Sequence, residues 1–254
     1  DVEELRHDPS LASGYRETPR LSIYYVALNR SRPPLDDPAL RRRLVKALDV
    51  PAIVRRTLRS GAIPANGIIP PGLLGHRPSP MSSGAAPMDD LDLDLDLSAG
   101  ILPIYLGQYA AVADEVIAAF KRKGVRLNIT TRNRDEFLVA EEDATVDVTL
   151  GRWVADYPDS DTFAYGLVHS VAGGVGRLVG TPSLDRIIEE ARSELDPQSR
   201  HAMYRQIEET LARDAVIIPL FHEQVYRFAR PEVEGLSLNF SLPEVAYDTI
   251  RITR

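Results

Sequence analysis

The sequence predicts an α/β protein built on a mixed sheet flanked by helices. Residues Leu21 to Asn29 form a nearly continuous run of apolar and β-favouring residues, which is typical of a strand covered on both faces. A helical pattern from about Tyr109 to Lys123 precedes two further strand patterns, VRLNITT and VDVTLGRWV. A strand–helix–strand run with short connections indicates a parallel pair joined by a right-handed crossover.

Helices are predicted from their start signals and from the spacing of their apolar residues. Asp37 followed by Pro38 combines an N-cap acid with a proline at the first helical position, and a second short helix follows at 49–58. Further along, we expect Ser183 to cap one helix and Asp196 to begin the next. The apolar residues predicted to face the core are Leu40, Leu44 and Leu48; Val112, Val116, Ala119 and Phe120; Leu184, Ile187, Ile188, Ala191 and Leu195; and Met203, Ile207 and Leu211.

The other strands are predicted from local patterns. DLDLDLDL, from Asp90 to Leu97, alternates strictly and predicts a strand with an acidic face and a leucine face. Carboxylates on one strand face point in parallel and do not wrap a calcium ion as a loop does, so a solvated face is favoured over a calcium site. AVIIPLF is predicted as a buried strand, and the shorter strands VYRFA, GLSLNF and YDTIRIT close the chain.

Composition narrows the classes of function. The net charge of −7 does not favour nucleic-acid binding, and cysteine is absent, which excludes disulfides, thiol nucleophiles and Cys-based zinc sites. No apolar run approaches the roughly 18 residues of a membrane-spanning helix, and the acidic start DVEELRHDPS does not read as a signal peptide. The five histidines are scattered and Gly-x-Ser-x-Gly is missing, so we predict no catalytic residues, metal site or cofactor.

Two further stretches favour structural roles over chemistry. The three arginines at 41–43 are consecutive on a predicted helix, so they fan around its axis and indicate a solvated face rather than a phosphate site. The glycines of VAGGVGRLVG are wrongly spaced for the Gly-x-Gly-x-x-Gly dinucleotide motif. A flexible loop is the interpretation we favour for that stretch.

The stretch from Gly151 to Ser170, GRWVADYPDSDTFAYGLVHS, crowds the only tryptophan, three acids and several further rings into twenty residues. Open α/β sheets bind ligands beyond the carboxyl ends of their strands, and Trp153, Asp156 and Tyr157 would lie near such an end. The alternative is structural: Trp153 plugs the core and Asp156 caps a turn. Residue types alone leave both interpretations open.

The order of several phrases resembles the large solute-binding proteins of dipeptide, oligopeptide and nickel ABC importers. These phrases are YYVALN, PPLDDPALRRRLVKALDVPAIV, IPANGIIPP, GRWVADYPDSDTF and the closing helix pair before AVIIPLF. The resemblance covers roughly the C-terminal half of such a protein. It implies a periplasmic-binding-protein-like lobe at 29–222, with a hinge or partner-lobe segment at 1–28 and a return segment at 223–254.

In peptide-binding members of this family the acid of the Trp-x-x-Asp segment pairs with the α-amino group of the peptide. That role maps onto Asp156, and Trp153 maps onto a ring that lines side-chain pockets. The candidate ligand-binding residues are therefore Asp156, Trp153, Tyr157 and Arg152. One departure is the stretch SSGAAPMDDLDLDLDL, which stands where the family usually has a Leu/Ala-rich helix.

The resemblance implies a non-enzymatic protein that binds a short peptide or a small amine-bearing solute and delivers it to ABC permease subunits. We expect a monomer in the periplasm or another extracytoplasmic space, with a lipid anchor on the full-length protein as a further option. The alternative is a sensory or regulatory domain fused to an intracellular regulator, which would be cytoplasmic.

Overall fold

The structure is a computed structural model that describes residues 2–78, 93–131, 133–241 and 243–253. It confirms the predicted fold class, because a mixed sheet is covered by helices on both faces. The strands are β1 (Tyr15–Pro19), β2 (Ser22–Leu28), β3 (Ala62–Pro64), β4 (Leu95–Ile101), β5 (Val125–Ile129), β6 (Val148–Val154), β7 (Ile217–Phe228), β8 (Val233–Glu234) and β9 (Arg251–Ile252).

Seven of these strands form one sheet in the order β1-β7-β2-β6-β4-β5, with β3 also paired to β7. The pairs β4·β5 and β4·β6 are parallel, as the strand–helix–strand pattern predicted, whereas β2 runs antiparallel to both of its neighbours, β6 and β7. The short strands β8 and β9 pair separately near the end of the chain.

Helices pack on both faces of the sheet. They are α1 (Val2–His7), α2 (Pro38–Lys46), α3 (Val50–Leu58), α4 (Ala110–Lys121), α5 (Arg134–Glu142), α6 (Asp161–Phe163), α7 (Gly176–Val179), α8 (Pro182–Ser193) and α9 (Pro197–Asp214). A π-helical turn, Ala164–Val168, follows α6.

The central strand β2 separates two apolar cores. All seven of its residues are buried, as predicted for a strand covered on both faces. Tyr24 and Val26 belong to the core under α2, α3 and α4, whereas Tyr25 and Ala27 belong to the core under α8 and α9. Side chains alternate between the two faces of a strand, so one continuous apolar run supplies both cores.

The predicted helices are confirmed, with two corrections in α8. Asp37, Asp49 and Asp196 cap α2, α3 and α9, each accepting a hydrogen bond from a backbone amide of the first turn. The cap of α8 is Thr181 rather than Ser183, because its hydroxyl accepts from the amide of Leu184. The core prediction is wrong for Leu195, which is 93% exposed because α8 already ends at Ser193.

The arginine prediction is wrong for Arg41, which is 2% exposed. Its guanidinium donates to the carbonyl oxygens of Leu35, Asp36 and Asp214, at 2.8, 3.1 and 3.0 Å. A buried cation needs such partners, and here the backbone at the end of α9 supplies one of them. Arg41 therefore ties α2 to α9 instead of facing solvent.

Several strand predictions are also corrected. AVIIPLF and VYRFA form one strand, β7, which pairs with β2 through its first half and with β1 through its second. GLSLNF forms only an isolated bridge, and YDTIRIT contributes only β9. The loop predicted for VAGGVGRLVG contains α7, a short helical turn with buried residues.

The acidic strand begins at Leu95, and the first part of DLDLDLDL lies outside the described residues. Asp96 is exposed and binds Arg126 of β5 through two hydrogen bonds of 2.8 and 2.7 Å, while Leu97 is buried. The boundaries of the predicted lobe stay a prediction. β2 falls within the 1–28 segment, although it is bonded to β6 and β7 in the middle of the sheet.

Candidate ligand-binding site

The segment after β6 leaves the sheet at the carboxyl ends of the parallel strands β4 and β6. Residues 152–154 of β6 and Leu102, which follows β4, line one cavity of about 550 Å³. Asp156 and Tyr157 line a second cavity of about 280 Å³. This is the edge at which open α/β sheets bind ligands.

Of the three acids in this segment, only Asp156 lacks a partner among the described residues. Asp159 receives two hydrogen bonds of 2.8 Å from the guanidinium of Arg200 on α9. Asp161 lies 3.0 Å from Nε of Arg192 on α8 and accepts a 2.6 Å hydrogen bond from the Tyr157 hydroxyl. Asp156 is exposed, and its carboxylate is open to an incoming cation.

The smaller cavity joins Asp156 to residues from both ends of the chain. Its lining includes Arg20, Phe240 and Glu244. Arg20 does not neutralise Asp156, because its guanidinium lies 3.3 Å from Glu223 and 3.5 Å from Glu244. The proposed structural role of Asp156, capping a turn, has no supporting hydrogen bond among the described residues.

Trp153 combines the two interpretations that the sequence left open. Its indole N–H donates to the Thr162 hydroxyl at 3.3 Å, and its ring packs against the core under α8 and α9. A Cβ at Gly166 would lie 2.8 Å from the ring, so this glycine permits the close approach. Trp153 also lines the larger cavity, so it is both a half-buried core residue and a cavity wall.

Arg152 and Tyr157 are positioned by other side chains. Arg152 donates to the Tyr24 hydroxyl at 3.3 Å, and its guanidinium lies 5.8 Å from the centre of that ring. Burial and the neighbouring Asp161 carboxylate raise the pKa of Tyr157 to about 12, so its hydroxyl stays a donor at neutral pH. The structure thus places Asp156 with Tyr157 in one cavity, and Trp153 with Arg152 beside the other.

Sequence reasoning missed Glu141, which lines the larger cavity and is 6% exposed. It lies on α5, a helix that we did not predict. Phe137, Ala140 and Glu141 are its buried residues and follow the i, i+3, i+4 spacing of one helix face. That spacing could have predicted the helix from the sequence. It would not have predicted a buried glutamate, because glutamate side chains are usually exposed.

The described part of the chain lacks two further features. No group of three His, Cys, Asp or Glu side chains there has the arrangement to hold a metal ion. None of the helices there combines the length and the apolar character that crossing a membrane requires.

Comparison with known proteins gives one consistent result. Residues 1–174 match the family model of bacterial extracellular solute-binding proteins, family 5. The chain is 26% identical to a probable di/tripeptide-binding protein 5 and 27% identical to di/tripeptide-binding protein 2, both of Pseudomonas aeruginosa. These matches cover 94% and 99% of this chain but 47% and 49% of the relatives, so the chain spans about half the length of the curated relatives it matches.

The fold is also found among solved structures. HbpA2 from Haemophilus parasuis matches with a TM-score of 0.84 at 20% identity, over 100% of this chain and 52% of that one. The family match agrees with the prediction of a binding protein rather than an enzyme. The matched residues make up more than half of the chain, and the chain therefore belongs to family 5 of the bacterial extracellular solute-binding proteins.

Proposed function

We propose that the full-length protein binds short peptides outside the cytoplasm for an ABC-type importer, and that this chain supplies the lobe that holds the peptide's α-amino group. The observation that carries the proposal is the carboxylate of Asp156, which is unpartnered within the described ranges. It is the one acid of its segment without a partner among the described residues, and it faces a cavity at the ligand-binding edge of the sheet. The di/tripeptide-binding relatives support peptides as the solute class.

Ammonium capture by Asp156 has a direct physical basis. A carboxylate forms a charge-assisted hydrogen bond with an ammonium group, and this bond strengthens when a closing cleft excludes water. The proteins of this architecture close two lobes about a hinge around the ligand. The exposed carboxylate seen in this lobe is then covered by the second lobe and by the peptide. Trp153 and Tyr157 contribute apolar walls beside the bound backbone.

We also propose an extracytoplasmic location and ABC permease partners for the full-length protein. The periplasmic relatives and the family description favour an extracytoplasmic protein over the alternative of a cytoplasmic regulator. ABC permease subunits are the proposed receivers of the solute, with the binding protein acting as a monomer. A lipid anchor on the full-length protein stays a prediction, as does the division into segments 1–28, 29–222 and 223–254.

Calorimetry on the full-length protein tests this function. We expect heat of binding when a pool of di- and tripeptides is titrated into the wild type, and a loss of affinity of about 30-fold or more in Asp156→Asn. Asp114→Asn is the matched control, because it removes the same charge from an exposed position on α4. The absence of binding by the wild type to any peptide or small amine would contradict the proposal.

A further inference from the structure

Glu141 is a buried acid in the wall of the larger cavity. It is 6% exposed, sits on α5 and lines the same cavity as residues 152–154 of β6. The Tyr25 hydroxyl donates to its Oε1 at 3.3 Å, and the Thr149 hydroxyl of β6 also faces the carboxyl group. An ionised carboxylate can accept more hydrogen bonds than these two hydroxyls supply, so Glu141 has unused capacity for a donor from a ligand.

The cavity lies next to the proposed ammonium site. Trp153 forms part of its wall and precedes Asp156 by three residues, a separation of roughly 10 Å in extended chain. Val154 lines both cavities, so the larger one opens beside the proposed ammonium site. The indole of Trp153 adds a π-face along which a cation is favoured.

The other charges around the cavity do not cancel the attraction of the ionised form of Glu141 for a cation. Arg152 directs its guanidinium to Tyr24, which lies on the opposite face of β2 from Tyr25. Arg177 is exposed and lies 3.8 Å from Asp143. Arg134 and Glu142 are both exposed and of opposite sign, so solvent screens them more strongly than it screens the buried acid.

We propose that the cavity beside Trp153 is a subsite for a cationic side chain, lysine or arginine, of the bound peptide, and that Glu141 is its specificity-determining residue. This inference rests on the proposed function, because it requires a peptide held through its amino terminus at Asp156. It names the class of peptide that the protein prefers.

Ligand binding at this subsite is coupled to proton release. Burial raises the pKa of Glu141 to about 8, so the empty site holds a neutral carboxyl group at pH 7. Tyr25 and Tyr105, the other titratable groups close to it, have pKa values raised by burial and stay protonated. An ammonium group favours the ionised carboxylate, and Glu141 then gives up its proton.

The test is calorimetry of the full-length protein with the dipeptides Lys-Ala and Ala-Lys and with the same dipeptides carrying norleucine in place of lysine. Norleucine keeps the aliphatic stem and lacks the ammonium group. We expect at least one lysine dipeptide to bind about tenfold or more tightly than its counterpart. Titrations at pH 7 in two buffers of different ionisation enthalpy should show about one proton released with lysine and none with norleucine.

Glu141→Gln should bring the lysine and norleucine affinities to within about threefold of each other and abolish the proton release. The wild-type measurements stand on their own if this variant folds poorly. Equal wild-type affinities without proton release would overturn the subsite and leave the proposed function intact. No binding of any of these dipeptides, or equal binding of their N-acetylated forms, would overturn both.

Discussion

The guanidinium of Arg200 donates two hydrogen bonds of 2.8 Å to the carboxylate of Asp159, and this joins the segment after β6 to α9. Burial by itself would raise the pKa of Asp159, but the hydrogen bonds from Arg200 and from the backbone hold it below its ordinary value. This pair anchors the turn after β6. Asp156, three residues earlier, has no such partner among the described residues.

The two acids should therefore respond differently to neutralisation. We expect Asp159→Asn to lower the free energy of unfolding by about 1–2 kcal/mol, because a half-buried arginine loses its charged partner. Asp156→Asn should change it by less than about 0.5 kcal/mol, since its carboxylate has no partner among the described residues. Urea unfolding of both full-length variants beside the wild type provides the measurement. Equal losses would contradict the assigned roles.

Blocking the ligand's amino group should mimic the loss of Asp156. N-acetylation removes the charge that the carboxylate is proposed to bind, so wild-type affinity for an acetylated dipeptide should fall about as far as Asp156→Asn lowers affinity for the free one. In the variant, acetylation should have little further effect. Additive losses, measured in a four-way calorimetric cycle, would show that Asp156 and the amino group do not interact.

Gly67 should not tolerate a side chain. The buried carboxylate of Glu208 accepts hydrogen bonds from the amides of Ile68 and Ile69, at 3.1 and 2.8 Å. A Cβ on Gly67 would lie 2.6 Å from Oε1 of Glu208 and would push the carboxylate off these amides. We expect Gly67→Ala to destabilise the protein by about 1–3 kcal/mol in thermal or urea unfolding, because both amides are buried.

Gly61→Ala is the control for that variant. A Cβ there meets no atom within 4 Å, so we expect a change within about 0.5 kcal/mol. A similar small effect at Gly67 would mean that Glu208 does not hold the loop in the way described.

Stability should fall as the pH rises from about 5 to above 8. Burial raises the pKa of Glu141 to about 8 and that of Glu208 to about 7, whereas an unfolded glutamate has a pKa of about 4.3. A group whose pKa is raised by folding stabilises the protein fully below its unfolded-state pKa. This contribution is lost as the pH rises through its folded-state pKa. Unfolding at a series of pH values measures this slope.

Glu141→Gln separates the two contributions. Glutamine resembles the protonated acid, so the variant should match the wild type near pH 4 and be more stable near pH 8.5. A smaller slope from Glu208 should remain. A variant with an unchanged pH profile would show that Glu141 does not titrate in this range.

Local patterns allowed much of the fold to be predicted. The continuous apolar run of β2 and the Asp–Pro starts of α2 and α9 depend on neighbouring residues, so the sequence displays them directly. Other features depend on contacts between distant residues. Arg41 is buried because the carbonyl of Asp214 reaches it, and β7 is one strand because β1 extends its pairing.

In the candidate site, too, some features follow from the local sequence and others from contacts between distant residues. The phrase GRWVADYPDSD determined by itself that this segment is the place to look, and the family pattern singled out Asp156 within it. Only the tertiary structure decided that Asp159 and Asp161 have partners while Asp156 has none in the described ranges, since Arg200 and Arg192 come from helices later in the chain. Charge neutralisation acts through space, and the identity of the open acid therefore follows from which helices pack against the segment.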